Sequence, residues 1–233
     1  TFFLTVHGTM RMNPVRFLSI DIGEDNLAAC ADSFGKSFLV DGRHLHSKNK
    51  LFFDKYSKAI DSNNVKRADK VKHTNYGYLK SYCDKSANFI KKKKKEKVIA
   101  SILIGKIPLK KKLENVDFMD MKYNLPNISS FCFSVFMDNL KNSGFDCIVV
   151  PEDYSSQCSF YDDEEVSAHK KFAGKRVKRA VFRTQDNHRV NADVNAAYNF
   201  YRKHFGDGMK KYVHVEACKK DLLCDPKRIQ PID

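Results

Sequence analysis

The sequence predicts an α/β protein: a mixed five-stranded sheet with helices packed on it and basic inserts between its elements. Three observations carry that prediction. Three short apolar runs follow one another near the start, two buried-strand patterns come later, and two segments with helical spacing accompany the later strands.

Residues 16–22 (RFLSIDI), 26–32 (NLAACAD) and 36–41 (KSFLVD) are the three early runs, separated by the Gly-containing turns GEDN and SFG. Consecutive strands at that spacing predict an antiparallel meander. Residues 43–97 then turn polar and lysine-rich, ending in KKKKKEK at 91–97, which reads as a solvated helix face or as a strip that tracks phosphates. VIASILI, 98–104, has the pattern of a buried strand and is closed by Gly105. In the segment 128–144, Ile128, Phe131, Cys132, Val135, Phe136 and Leu140 fall on one helical face, with Asn127 as its N-cap and Gly144 as its stop. CIVVPED, 147–153, is a further strand; 154–190 is polar and basic; and 191–205 (NADVNAAYNFYRKHF) reads as a helix with Val194, Ala197, Tyr198 and Tyr201 on one stripe. Residues 206–233 suggest no element.

Composition narrows the partners. Against 28 Asp and Glu stand 42 Lys and Arg, a formal net charge of +14, so polyanions come first and nucleic acid leads among them. No apolar run approaches the roughly 18 residues that span a bilayer, so no membrane partner and an intracellular location are expected. The seven cysteines are scattered, odd in number and never form Cys-x-x-Cys, which argues against a disulfide scaffold and against a four-cysteine zinc knuckle.

Asp21 sets the chemical question, because an unpaired carboxylate buried in a strand costs several kcal/mol unless it is paired, protonated or bound to a cation. Two other carboxylates abut apolar sequence: Glu152 at the end of the last strand and Asp193 in the first turn of the last helix. If the first strand is central, these three converge, with Ala196 and Ala197 letting the helix approach the sheet. Hard oxygen ligands without a surrounding Cys or His set favour Mg²⁺ or Mn²⁺, and two such ions about 3.5–4 Å apart clamp a phosphodiester.

In order along the chain, SIDIGEDNLAAC, VPEDYSSQCSF and KRVKRAVFRTQDNHRVNADVNAAYNF resemble the three RuvC motifs of the TnpB (OrfB) proteins of insertion sequences, relatives of the type V CRISPR nucleases. The resemblance covers most of residues 16–205, and N-A-D-V-N-A-A is its specific part. It implies an RNase H-like (RuvC) core that cuts DNA under an RNA guide with a metal-bound Asp, Glu, Asp triad. By position that triad is Asp21, Glu152 and Asp193, and Asn195 and Asn199 support Asp193 or the strand unless they are plain helix-surface amides. The implied partners are DNA, as a single strand or a guide–target duplex, and guide RNA for the full-length protein. Residues 16–205 then form the nuclease domain, with inserts at 43–97 and 154–190, the end of an N-terminal lobe at 1–15 and a C-terminal tail at 206–233.

Many members of that family carry a four-cysteine zinc knuckle between the second and third motifs. Here the interval holds only Cys158, with His169 and His188, so no structural zinc is expected. Within the same interval Lys175, Arg176, Lys178, Arg179 and Arg183 are candidate nucleic-acid-binding residues, with Phe182 as a stacking aromatic. Other readings are weaker. Asp21-x-Gly23 also suits a phosphate-binding ATPase hairpin, His44 and His46 match a His-x-His metal pair, and Cys147 is a candidate thiol nucleophile. The main alternative is non-catalytic: a truncated or inactive remnant that keeps the fold and the charge and only binds nucleic acid.

Overall fold

The computed structural model describes residues 16–97, 99–106 and 128–231. The expected meander is present as β1 (Arg16–Asp21), β2 (Asn26–Asp32) and β3 (Lys36–Asp41), paired antiparallel in that order. The turn between β2 and β3 is built by Asp32, whose Oδ1 accepts the N–H groups of Phe34 and Lys36, each at 3.0 Å. Gly35 at φ +77° completes it, and a Cβ there would lie 2.4 Å from the backbone of Ala217.

The lysine-rich insert forms two helices, α1 (Arg43–Asp61) and α2 (Val65–Lys97). The run that begins at Lys91 prolongs the second helix, and Lys91 and Lys92 are exposed. The chain then returns as β4 (Ile99–Lys106), parallel to β1, and α3 (Ile128–Asn142) leads into β5 (Asp146–Pro151), parallel to β4. Gly144 at φ +74° ends α3 as expected, whereas its proposed cap Asn127 lies outside the described residues.

After a segment without helix or strand come β6 (Lys175–Lys178), β7 (Val181–Arg183) and β8 (Arg189–Asn191), a small antiparallel sheet. Helix α4 (Ala192–Phe205) follows immediately. Residues without an element in the sequence reading form a 3-10 helix (Gly206–Lys211), α5 (Val215–Leu222) and β9 (Lys227–Ile229). Strand β9 pairs parallel with β3 and adds a sixth strand to the five expected, giving the order β5-β4-β1-β2-β3-β9. With three residues and mixed polarity, it carries no strand pattern in isolation.

Strand alternation sorts the core into two layers. Leu18, Ile20, Cys30, Ile102 and Ile104 face one way and pack against Leu45, Leu79, Tyr82, Ile90, Phe136 and Leu140 of the first three helices. Phe17, Ala29, Ala31, Leu39 and Leu103 face the other way, toward Ala197, Tyr198, Phe200 and Tyr201 of α4 and Cys218 and Leu222 of α5. All seven residues of β2 are buried because both faces are covered.

Small side chains let α4 sit close to the strands. Ser19 Oγ donates to the Ala197 carbonyl at 2.5 Å, and the Tyr201 hydroxyl lies 2.9 and 2.6 Å from the carbonyls of Phe17 and Ala31. Those contacts hold the middle of α4 against β1 and β2. Among the described residues no helix is long and apolar enough to cross a membrane.

Candidate metal centre

Phe17, Ser19 and Asp21 alternate onto the α4 face of β1, so the strand ends by presenting a carboxylate beneath that helix. On β4, Ile104 pairs with Ile20, which brings Gly105 level with Asp21. On β5, Val150 pairs with Gly105, and Glu152 follows two residues later on the same face. Between the two acidic positions the middle strand thus has no side chain. A Cβ at Gly105 would stand 2.6 Å from Glu152 Oε1 and 2.6 Å from the Phe200 ring. The Glu152 carboxyl occupies the space that any other residue would fill.

Asp193 arrives from the helix. Asn191 caps α4, its Oδ1 accepting the N–H groups of Asp193 and Val194 at 3.1 Å each, which sets Asp193 in the first turn. The carboxylate is then held on both oxygens: Asn26 Nδ2 donates to Oδ2 at 2.6 Å and an Arg176 guanidinium N–H donates to Oδ1 at 2.9 Å. Asn26 is oriented in turn by Arg228, which donates to its Oδ1 at 2.6 Å and to Asp41 Oδ1 at 2.9 Å.

The three carboxylates share one electrostatic environment. Burial holds the Asp21 carboxyl well above the usual carboxylate range, the negative charges of Asp193 and Glu152 raise it further, and Arg176 opposes them. Burial, followed by the neighbouring Asp153, pushes Glu152 up to about 7. Glu152 Oε1 is buried with no hydrogen-bond partner among the described residues. An orphaned oxygen on a carboxylate whose charge, with that of Asp193, acts on buried Asp21 fits a hard divalent cation such as Mg²⁺ or Mn²⁺, for which oxygen is the preferred donor.

Asn195 and Asn199 are fully buried rather than on the helix surface. Both donate to the Cys158 carbonyl, at 2.9 and 2.8 Å; Asn199 also reaches the Ser155 carbonyl, and Asn195 Oδ1 accepts from the Phe160 N–H at 3.0 Å. They moor to α4 the segment that follows Glu152.

The basic residues of β6 and its turn are differently placed from a free phosphate strip. Lys175 and Lys178 are exposed and Arg183 is half-buried opposite Lys175. Arg176 is engaged by Asp193, while Arg179 pairs with Asp25 and, at 3.3 Å, with Glu24. Phe182 is fully buried in the α4 core, which corrects its reading as a stacking aromatic: its neighbours Val181 and Arg183 alternate outward and leave the ring inside.

His44 and His46 stand two positions apart on α1, about 200° around the helix, with buried Leu45 between them. They cannot chelate one ion. Two residues that the sequence reading left without a role, Asn26 and Gly105, prove central to the site's geometry. Asn26 carries a signal in retrospect, a polar residue heading a strand that is otherwise apolar, while Arg228 has none because it reaches Asn26 across 202 positions.

No protein-family model matches the chain, and no curated protein does so significantly. Solved structures do, among them the following two. One is a cryo-EM structure of a Cas12f1–sgRNA–target DNA complex, with 17% identity, a TM-score of 0.53 and coverage of 81% of this chain and 50% of that one. The other is a cryo-EM structure of a CRISPR–Cas12f ternary complex, with 16% identity, a TM-score of 0.51 and coverage of 81% and 38%. The chain thus spans half or less of the proteins it matches, and the likeness shows that it shares their mixed α/β fold over that part.

Proposed function

We propose that this chain is the catalytic part of a metal-dependent DNA endonuclease of the TnpB type, guided by RNA when the protein is complete, with residues 16–205 as its nuclease domain. The observation that carries the reading is a buried Asp21 on which the charges of both Asp193 and Glu152 act, together with a buried Glu152 oxygen that has no partner among the described residues. The Cas12f1 complex, which holds an sgRNA and target DNA, supports nucleic acid as the substrate class. The net charge of +14 favours the same partner.

Asp21, Glu152 and Asp193 would hold Mg²⁺ or Mn²⁺, and a bound pair of such ions supplies activation of water and charge neutralisation at the scissile phosphodiester. The protein's own part is placement. Asn26 and the Asn191 cap fix the direction of the Asp193 carboxylate, Gly105 leaves room for Glu152 beside Asp21, and Asn195 and Asn199 anchor the segment after Glu152. Arg176 compensates the charge of Asp193.

That same contact supports the second reading, a module that binds nucleic acid without cutting, because an arginine already compensates one carboxylate. Incubation with single-stranded DNA and Mg²⁺, with and without chelator, separates the two. The nuclease reading expects Mg²⁺-dependent cleavage that Asp21→Ala and Glu152→Ala abolish, and Asp193→Asn should stop cutting while leaving nonspecific DNA affinity almost unchanged. Tight, salt-sensitive binding without cleavage in any divalent metal would establish the module instead.

A further inference from the structure

Strand β9 reaches into the carboxylate centre. Arg228 stands beside Leu39 of β3, a residue of the α4 face, and Asp41 follows two positions later on that face, opposite Asn26 of β2. The arginine spans that distance. Its Nη1 donates to Asp41 Oδ1 at 2.9 Å and to Asn26 Oδ1 at 2.6 Å, and Asn26 Nδ2 in turn donates to Asp193 Oδ2 at 2.6 Å. Asp41 Oδ1 also accepts from Arg43 Nε at 2.7 Å, so Arg43, Asp41 and Arg228 alternate in charge. Asn26 and Asp41 are both buried.

We propose that Arg228 is a positioning residue for the nuclease centre: it fixes the polarity of the Asn26 amide, and thereby the direction in which Asp193 presents its carboxylate to a cation. The assignment rests on the nuclease reading and brings the last strand into it. From sequence, residues 206–233 are a tail; through Arg228 part of that tail belongs to the centre.

The chemistry of the three groups dictates the arrangement. An amide has two ends of nearly equal shape, and a half-turn about its terminal torsion exchanges its acceptor for its donors. Buried against a carboxylate, the wrong end sets two oxygens against each other. A guanidinium only donates, so Arg228 is satisfied by Oδ1 alone, and that choice turns Nδ2 toward Asp193. Asp193 then has one oxygen on a fixed, neutral donor. Its other oxygen faces the partly exposed Arg176, which a cation can replace without disturbing Asn26. Loss of Arg228 does not strand Asp41, because Arg43 still pairs with it.

The test is the Mn²⁺ affinity of the full chain, measured by calorimetry, because charge and orientation have opposite effects on it. Removing a positive charge near Asp193 tightens binding of a divalent cation by electrostatics alone, whereas losing the relay weakens it. Arg228→Met and Asn26→Ala should each weaken Mn²⁺ binding about tenfold, as loss of an outer contact to a metal ligand does, and the double variant should lose no more than either alone. Arg43→Met removes the other guanidinium on Asp41 and should stay within about twofold of the unmutated protein. Cooperative thermal unfolding of each variant confirms that the fold persists. A neutron map of the unmutated protein needs no variant to fold, and it should show a deuteron between Asn26 Nδ2 and Asp193 Oδ2. An amide reversed in that map, or equal or tighter Mn²⁺ binding in folded Arg228→Met, would overturn the relay and leave the nuclease reading standing. Failure of the unmutated chain to bind Mn²⁺ would instead count against the nuclease reading, and the Arg228 assignment would fall with it.

Discussion

Gly105 shows how a single missing side chain shapes the carboxylate centre. Any other residue at this position would place a Cβ 2.6 Å from Glu152 Oε1 and from the buried Phe200 ring, so the Glu152 carboxyl must turn away or the ring must shift. Gly105→Ala is therefore expected to lower stability by about 1–3 kcal/mol, as overpacking does, and to reduce Mg²⁺-dependent cleavage much more than DNA affinity. Wild-type cleavage in a folded Gly105→Ala protein would show that Glu152 need not lie there. Glu152 makes a second expectation at this scale. Its folded pKa is about 7 against an ordinary 4.5, and a raised folded value gives stability that is fully present below the unfolded pKa and lost as pH rises through the folded one. Chelated protein should thus lose stability to urea between about pH 5 and about pH 7.5, and Glu152→Gln should lose distinctly less. Asp21, shifted in the same direction, contributes with the same sign.

At the scale of elements, the sheet formed by β6, β7 and β8 meets acidic residues through two committed arginines, Arg176 of β6 and Arg179 of the turn after it. Arg176 and Arg179 hold Asp193, Glu24 and Asp25, so neither guanidinium is free for a phosphate while those carboxylates keep their charge. Cations at Asp193 would release Arg176. The expected consequence is conditional: Arg176→Ala leaves the salt dependence of DNA binding unchanged in chelator but lowers its slope by about 1 in Ca²⁺, as loss of one phosphate contact does. Fluorescence anisotropy over a salt series checks this, and an equal loss in both conditions would mean that the ion pair does not restrain the arginine. Substituting Lys175 or Lys178, which are exposed, carries no such condition.

For the whole molecule, the last residues decide whether the sheet is complete. Met209, Val213, Val215, Cys218 and Leu222 are all buried against α4 and the strands. At about 1.5–3 kcal/mol for each large apolar side chain, their loss rivals the about 5–15 kcal/mol that hold a typical domain together. Truncation after Phe205 also removes β9 from the edge of β3 and Arg228 from Asp41, whose side chain is 2% exposed. The shortened chain should show no cooperative thermal transition, and a sharp one near that of the intact protein would overturn this. The elements with strong local periodicity were legible without coordinates: five strands, α3 and α4 follow from alternation and from the 3.6-residue repeat, and Asp21, Glu152 and Asp193 stood out as carboxylates set in apolar sequence. The helical hairpin was obscured because its buried stripe, with Leu45, Leu79 and Ile90, is thin among lysines. Only tertiary structure put Gly105 between two acids, turned Asn195 and Asn199 inward, tied Arg176 to Asp193 and brought Arg228 to Asn26. Local sequence determines which way a side chain leaves its own strand or helix; what it meets there depends on strand order and helix position, and these are set by packing between residues distant in the chain.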